Sequence, residues 1–244
     1  MTHILDEESS APLYQQVMDH IKTELESGTY PPETQIPPEL ELARSYGVGR
    51  ITVRRAIEEL VNEGYLTRKQ GKGTFVMRPK MKRKIVQRND FQSFTDACGE
   101  NGMKPGARVV SRRRMSAGRE LATYFRIAEE DEVICISRVR TADGVPILLE
   151  NNYYPYVEFS FLETAELTDV SIFELVGNET GHYPMSTSPS TLEIARACVD
   201  EAHELEVPVG EPLFYLNVGF QDEGGRTFCF GRQYYVGSRY SFDI

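Results

Sequence analysis

Arg50 and Arg54 stand four residues apart in GRITVRRAIEELVNEG, close to one turn of an α-helix. In that register Val53, Ala56, Ile57, Leu60 and Val61 form one apolar stripe, which puts both arginines and Glu58 on the opposite face. A guanidinium fork matches the O6 and N7 acceptors that guanine presents in the major groove of DNA. Two forks on one anchored helix are chemistry for reading bases; the plain alternative is a solvated face that carries cations by chance. Arg55 lies beside them and suits a phosphate or solvent better than a base. A second pair, Arg138 and Arg140, falls in an apolar run over 133–141, where a strand sets Ile134, Ile136, Arg138 and Arg140 on one side. Two guanidiniums in a concave place suit a carboxylate or phosphate ligand, with Glu150 as the competing structural partner.

Each pair needs elements to hold it. Leu40, Leu42 and Ala43 mark a short helix closed by Tyr46-Gly47-Val48, just ahead of the helix that carries Arg50 and ends at Gly64. Upstream, Leu13, Val17, Ile21 and Leu25 make the stripe of a first helix. Residues 65–69 and 74–78 read as strands joined by Gln70-Gly71-Lys72-Gly73, a small cationic tip able to enter a minor groove. Together these outline a winged helix-turn-helix. Beyond residue 85 the texture alternates. Strands are predicted over 108–114, 133–141, 146–154, 191–199, 212–221 and 227–236, and helices over 91–98, 119–125, 172–176 and 200–205. Asp143-Gly144 and Glu223-Gly224-Gly225 read as hairpin turns, so the second half is an α+β domain with mostly antiparallel strands. A plain two-residue turn at Asp143-Gly144 would set Arg138 opposite Leu149 and send Glu150 to the other side; a bulge would be needed to bring Glu150 to the arginines.

Charge is sorted along the chain. The 244 residues carry a net charge of −10, yet residues 44–84 hold 12 Lys+Arg against 3 Asp+Glu. One basic patch on an acidic body supplies attraction to phosphates and predicts strongly salt-dependent DNA binding. Arg78-Pro79-Lys80-Met81-Lys82-Arg83-Lys84 reads as a cationic linker. The expected organisation is a DNA-binding domain over 1–77, a basic linker over 78–90 and a second domain over 91–244. The start, MTHILDEESS, has neither a basic opening nor an apolar run, and no stretch is apolar enough to cross a bilayer. A cytoplasmic protein without a membrane partner is expected. Cys98, Cys135, Cys198 and Cys229 have no CxxC spacing and the four histidines no ligand pattern, so no metal site, no cofactor and no catalytic constellation is expected.

Over residues 12–77 the chain resembles the DNA-binding domain of GntR-type bacterial transcription regulators. The resemblance implies that Arg50 and Arg54 read bases, that Thr52 and its neighbour Arg55 meet phosphates, and that Gly71, Lys72, Gly73 and Thr74 form the wing tip. Three positions depart from the family pattern. Pro38-Glu39-Leu40 stands where Ser-Glu-Arg is usual, Gly49 where a serine caps the helix, and Glu33 where the turn has glycine. Beyond residue 91 the chain resembles the UTRA effector domain of the HutC subgroup, similar in fold to chorismate lyase. The pieces that carry this are Ile136-Ser137-Arg138-Val139-Arg140, Asp143-Gly144-Val145-Pro146, Glu150, Ser171-Ile172-Phe173, Gly210-Glu211-Pro212-Leu213 and Tyr235-Val236-Gly237-Ser238-Arg239-Tyr240. This resemblance implies an effector site built from Ser93, Thr95, Arg138, Arg140, Glu150, Ser171 and Tyr235. Ser171 with Glu174 also spells a helix capping box. Cys229 stands where amino-sugar-sensing relatives tend to carry glutamate.

The expectation is a homodimeric, ligand-responsive transcription regulator that leaves a pseudo-palindromic operator on double-stranded DNA when a small anionic metabolite binds. Two alternatives stay open: a lyase-like enzyme fused to a DNA-binding head, because fold does not determine function, and a DNA binder without a ligand.

Overall fold

The computed structural model describes Leu5 and residues 10–78, 80–84 and 92–243. The chain divides into two compact units, Met1–Pro79 and Lys80–Ile244.

The first unit contains helices α1 (Leu13–Glu26), α2 (Glu39–Tyr46) and α3 (Arg50–Asn62), then strands β1 (Leu66–Lys69) and β2 (Gly73–Val76). Its core joins Val17, Met18 and Ile21 of α1 to Leu42, Ala43 and Tyr46 of α2 and to Val53, Ala56, Ile57 and Leu60 of α3. Each Val, Leu, Ile or Met among them, fully buried, contributes about 1.5–3 kcal/mol by leaving water. The predicted α1 stripe is corrected at one end: Leu13 is exposed and Met18 takes a core place. Residues four apart advance about 40° around the axis at each step, so a long i+4 row swings off the core. Gly47 closes α2 with φ +68°, a left-handed conformation open to glycine. Glu33, standing in place of a glycine, is itself held at φ 66°. The wing is more than a hairpin. Ile36 donates to the Thr74 carbonyl and Val76 to that of Thr34, so the segment before α2 lies against β2 as a third backbone strand.

The second unit begins with β3 (Met81–Lys84). Then follow α4 (Phe94–Glu100), β4 (Pro105–Ser116), α5 (Gly118–Phe125), β5 (Glu132–Ala142), β6 (Val145–Pro155), α6 (Tyr156–Phe159), α7 (Ile172–Thr180), β7 (Ser186–Thr187), β8 (Thr191–Arg196), α8 (Val199–Leu205), β9 (Pro212–Gln221), β10 (Thr227–Val236) and β11 (Tyr240–Asp243). The main sheet runs β4-β5-β6-β10-β9-β7, with β8 also on β9, and every pairing in it is antiparallel. One face packs on α6 and α7 through Ile134, Ile136, Tyr154, Phe159 and Phe228, and on α4 through Leu148, Tyr235 and Phe94. The other face packs Cys135, Tyr153 and Phe230 against α5, and Val139, Leu149 and Val236 against α8. Both faces are covered, so β5 is buried almost throughout.

The basic linker expected over 78–90 is corrected in part. Met81–Lys84 is a strand, paired in parallel with β11, and the Met81 side chain is fully buried beside Tyr240. A run read as too cationic to bury itself hides its one apolar residue and leaves Lys80 and Lys82 exposed. Pro79 and residues 85–91, the rest of that linker and the expected start of the second domain, lie outside the described residues, as do Met1–Ile4 and Asp6–Ser9 of the head and Ile244.

Candidate nucleic-acid interface and candidate effector cavity

The first residues of α3 stand over a groove whose opposite wall is the wing, with Gln35, Arg68, Gly71 and Thr74 among its lining. Three arginines from two elements converge there on one carboxylate. Arg50 Nε lies 3.2 Å and Arg54 Nη2 3.3 Å from Glu39 Oε2, and Arg68 Nη2 is 3.3 Å from Oε1. The Arg50, Arg54 and Arg68 side chains are 60%, 48% and 43% exposed, against 20% for Glu39. The carboxylate is the hidden hub and the forks face solvent. Burial alone would raise the Glu39 carboxyl, but hydrogen bonds from Arg54 and Arg50 outweigh it and hold the group below its ordinary range. Pro38 and Gly49 cap α2 and α3 without any side-chain bond, which leaves these helix starts lined by backbone.

Of the other expected DNA-facing residues, Gly71, Gly73 and Thr74 line this groove, while Thr52, Arg55 and Lys72 lie outside its lining. Gln70, Gly71, Lys72 and Gly73 are exposed at the wing tip, with Thr74 half-buried. Thr52 is half-buried in the first turn of α3. Arg55 stacks its guanidinium 3.9 Å from the centre of the Tyr14 ring. Gly73 is held at φ +111°, a backbone conformation that a residue with a Cβ rarely adopts. Sequence reasoning missed Arg68, and missed Glu39 as their common partner, because no helical or strand period links residues 39, 50, 54 and 68. It also passed over Ile51, an apolar side chain 82% exposed beside Arg50. Such a group suits contact with a thymine methyl.

In the second unit a cavity opens among Ser93, Phe94, Arg140, Glu150, Ser171, Phe173, Phe220, Gln233 and Tyr235. Five of the seven expected effector residues line it: Ser93, Arg140, Glu150, Ser171 and Tyr235. The register explains how. Asp143 and Gly144 both take positive φ, as a tight two-residue turn requires, and Ala142 pairs with Val145. A bulge between Arg140 and Thr141 then shifts the ladder, so Arg138 pairs with Glu150 and Arg140 with Leu148. The two devices occur together, and Glu150 comes to the arginines' side.

The two arginines have separate roles. Arg138, also expected in the effector site, is wholly buried and lies outside the cavity lining. Its Nε donates to Glu150 Oε1 at 2.8 Å, its Nη2 meets the same oxygen, and its Nη1 donates to the carbonyls of Val170 at 2.9 Å and Leu167 at 3.3 Å. A guanidinium so fully bonded is a structural tie. Arg140, 5% exposed, is on the cavity wall. It donates to the Gly106 carbonyl at 3.2 Å and to Thr95 Oγ1 at 3.3 Å, and lies over the Phe94 ring. Glu150 is 3.9 Å away, an ion pair without a hydrogen bond. Burial depresses this guanidinium below its ordinary range and Glu150 works against that. Thr95 thus reaches the cavity through Arg140 alone.

Both serines are helix caps. Ser93 Oγ accepts from the Asp96 amide and donates to its carboxylate at 2.7 Å in a full capping box at the start of α4. Ser171 Oγ accepts from the Glu174 amide at 3.4 Å at the start of α7. Tyr235 is fully buried, and its hydroxyl donates to Gln233 Oε1 at 2.6 Å. Cys98, Cys135 and Cys229 are buried thiols, each raised first by burial, while Cys198 is exposed. Among the described residues no group of His, Cys, Asp and Glu could hold a metal ion, and no helix is long and apolar enough to cross a membrane.

Comparison with known proteins covers both units. Residues 13–76 match the model of bacterial regulatory proteins, gntR family, and residues 100–241 match the UTRA domain. The HTH-type transcriptional repressor NagR of Bacillus subtilis is 31% identical, over 98% of this chain and 96% of its own. The histidine utilization repressor of Pseudomonas aeruginosa is 32% identical, over 86% of this chain and 81% of its own. Among solved structures, PhnF from Mycobacterium smegmatis superposes with a TM-score of 0.70 at 26% identity, covering 93% of this chain and 97% of that one.

Proposed function

This chain belongs to the gntR family of bacterial regulatory proteins, with a UTRA domain behind its helix-turn-helix, and from that premise we propose a homodimeric transcriptional repressor that leaves a pseudo-palindromic operator when a small anion occupies the second unit. Relatives over most of the chain are transcription regulators, and both of those described above are repressors by name, which sets the enzymatic alternative aside. In this reading Arg50 and Arg54 contact bases, Ile51 meets a thymine methyl, and Thr52 holds a phosphate. Gly71, Lys72, Gly73 and Thr74 lay the wing along the adjacent backbone. Arg55, already stacked on Tyr14, serves a phosphate at most.

The observation that carries the effector reading is Arg140. Two buried guanidiniums share one carboxylate, so the cluster holds a net positive charge beside the cavity, and Arg140 is the member without a hydrogen-bonded acid. The start of α7, capped by Ser171, adds the partial positive charge of a helix N-terminus. An anion is the natural complement, a phosphosugar or a small carboxylate. Cys229 is wholly buried among apolar neighbours and brings no acid to an amine, which argues against an amino-sugar class. The internal space is about 20 Å³, room for about one water, so a metabolite enters by displacing the side chains around it. That displacement is the natural origin of a coupling energy of about 1–3 kcal/mol between the cavity and DNA.

Fluorescence anisotropy on an operator selected by the protein from random DNA tests this. Phosphosugars or small carboxylates should release the wild type, while Arg140→Ala should hold the operator and ignore them. Release that survives the substitution overturns the effector assignment. Binding with no base preference overturns the operator assignment.

A further inference from the structure

The inward face of β6 is polar where a core would be apolar. Glu150, Asn152 and Tyr154 follow one another on that side, at 3%, 0% and 0% exposure. Glu150 is tied to Arg138, but both the Oδ1 and Nδ2 atoms of Asn152 are buried with no hydrogen-bond partner. An unpaired buried amide is costly, and such groups concentrate where a fold keeps a polar atom for something that binds. Its position points to the cavity. Asn152 pairs with Gly231 across β6 and β10, one step along from the pair Glu150 and Gln233, and both members of that pair line the cavity. The point that a Gly231 Cβ would occupy is 3.0 Å from Asn152 Oδ1, 3.1 Å from Phe220 and 3.2 Å from Gln233 Nε2. The Asn152 and Gln233 amides and the Phe220 ring therefore close over Gly231, which puts the Asn152 amide next to a side chain of the cavity wall.

We infer that Asn152, with Gln233 beside it, is an inner subsite that takes the uncharged polar end, a hydroxyl or amide, of an elongated effector once that effector has displaced the side chains packed there. The inference rests on the reading of Arg140 as the anion's partner, since the anion sets which end of the molecule points inward. Asn152 offers one acceptor and two donors there, and a hydroxyl satisfies both kinds. An apolar tail leaves the amide unpaired, and a short anion never reaches it. The subsite thus selects polar molecules of hexose length over three-carbon acids with the same charged group.

Calorimetric titration of two pairs tests this: glycerol 3-phosphate with glucose 6-phosphate, and glycerate with gluconate. Within the pair that binds, wild type should prefer the longer member. Asn152→Leu should lose about tenfold of affinity for it, close to one good hydrogen bond, and bind the shorter member as before. The same variant should melt no lower than wild type, because it replaces an unpaired polar group by an apolar one of similar size. Equal loss for both lengths, or a lower melting temperature with selectivity kept, would make Asn152 a structural residue and overturn the inference. If none of the four binds wild type, the anion reading of Arg140 falls and the subsite with it.

Discussion

Glu39 organises the cationic face proposed to meet DNA, since it gathers three guanidiniums from two separate elements. Its carboxyl is held below the ordinary range, so whatever stability it adds is present above the usual carboxyl pKa and is lost as pH falls through the lowered value. Exposed ion pairs of this kind stabilise little. On the proposed reading the stronger consequence is orientation: forks tethered from behind have less freedom to lose when they meet a base edge. Arg54→Ala should cost roughly 1–3 kcal/mol of operator affinity and relax base preference, as read by anisotropy on operator and scrambled DNA. Arg138 presents the opposite case. Arg138→Ala leaves Glu150 buried without its main partner and should cost about 3–5 kcal/mol of stability in the second unit. A thermal melt checks it; an unchanged melting temperature would refute the structural role.

Among the elements, α4 is placed to carry a signal. Its N-cap, Ser93, lines the cavity. Its C-cap, Asn101, holds the backbone of β3 from both sides, accepting from the Lys82 amide at 3.0 Å and donating to the Lys82 carbonyl at 2.9 Å. A short helix moves as a rod, so displacement at Ser93 reaches β3, the strand that follows the DNA-binding unit in the chain. Asn101→Ala should leave effector affinity within about twofold, because it touches no cavity residue, yet reduce ligand-induced release of DNA by much of the coupling energy. Calorimetry and anisotropy on one preparation separate the two effects. Full release in the variant would remove α4 from the pathway.

At the scale of the molecule, charge and association complete the reading. The basic run over 44–84 lies in an otherwise acidic chain, which confines phosphate attraction to the DNA-facing region and its continuation. Discrimination between operators benefits from two heads on two half-sites. The strand β8 offers a surface for pairing: Ile194 is 74% and Leu192 40% exposed on one side, opposite Phe214 and Leu216 of β9. An apolar row on a sheet face is a liability unless covered. Ile194→Asp should therefore halve the mass seen by analytical ultracentrifugation and weaken operator binding, with the isolated unit still folded. A dimer that persists unchanged places the interface elsewhere.

Local rules were enough for the long elements, while the short β3, α6, β7 and β11 escaped them. The period of 3.6 placed Val53, Ala56, Ile57 and Leu60 inward and Arg50 and Arg54 outward, and alternation with turn glycines marked the long strands, because each of these depends on neighbours within a few residues. The tertiary structure decided what depends on distant partners. The bulge beside Arg140 set which side Glu150 faces, and a one-residue difference in register would have sent it away. Arg138 became a tie and Arg140 a candidate contact only when the carbonyls of Leu167 and Val170 met the first and the cavity met the second. Met81 was lost in a cationic run until Tyr240, from the other end of the unit, paired with it. Periodicity records which way a side chain turns from its own backbone; what it meets there is set by chain that folds back from far away.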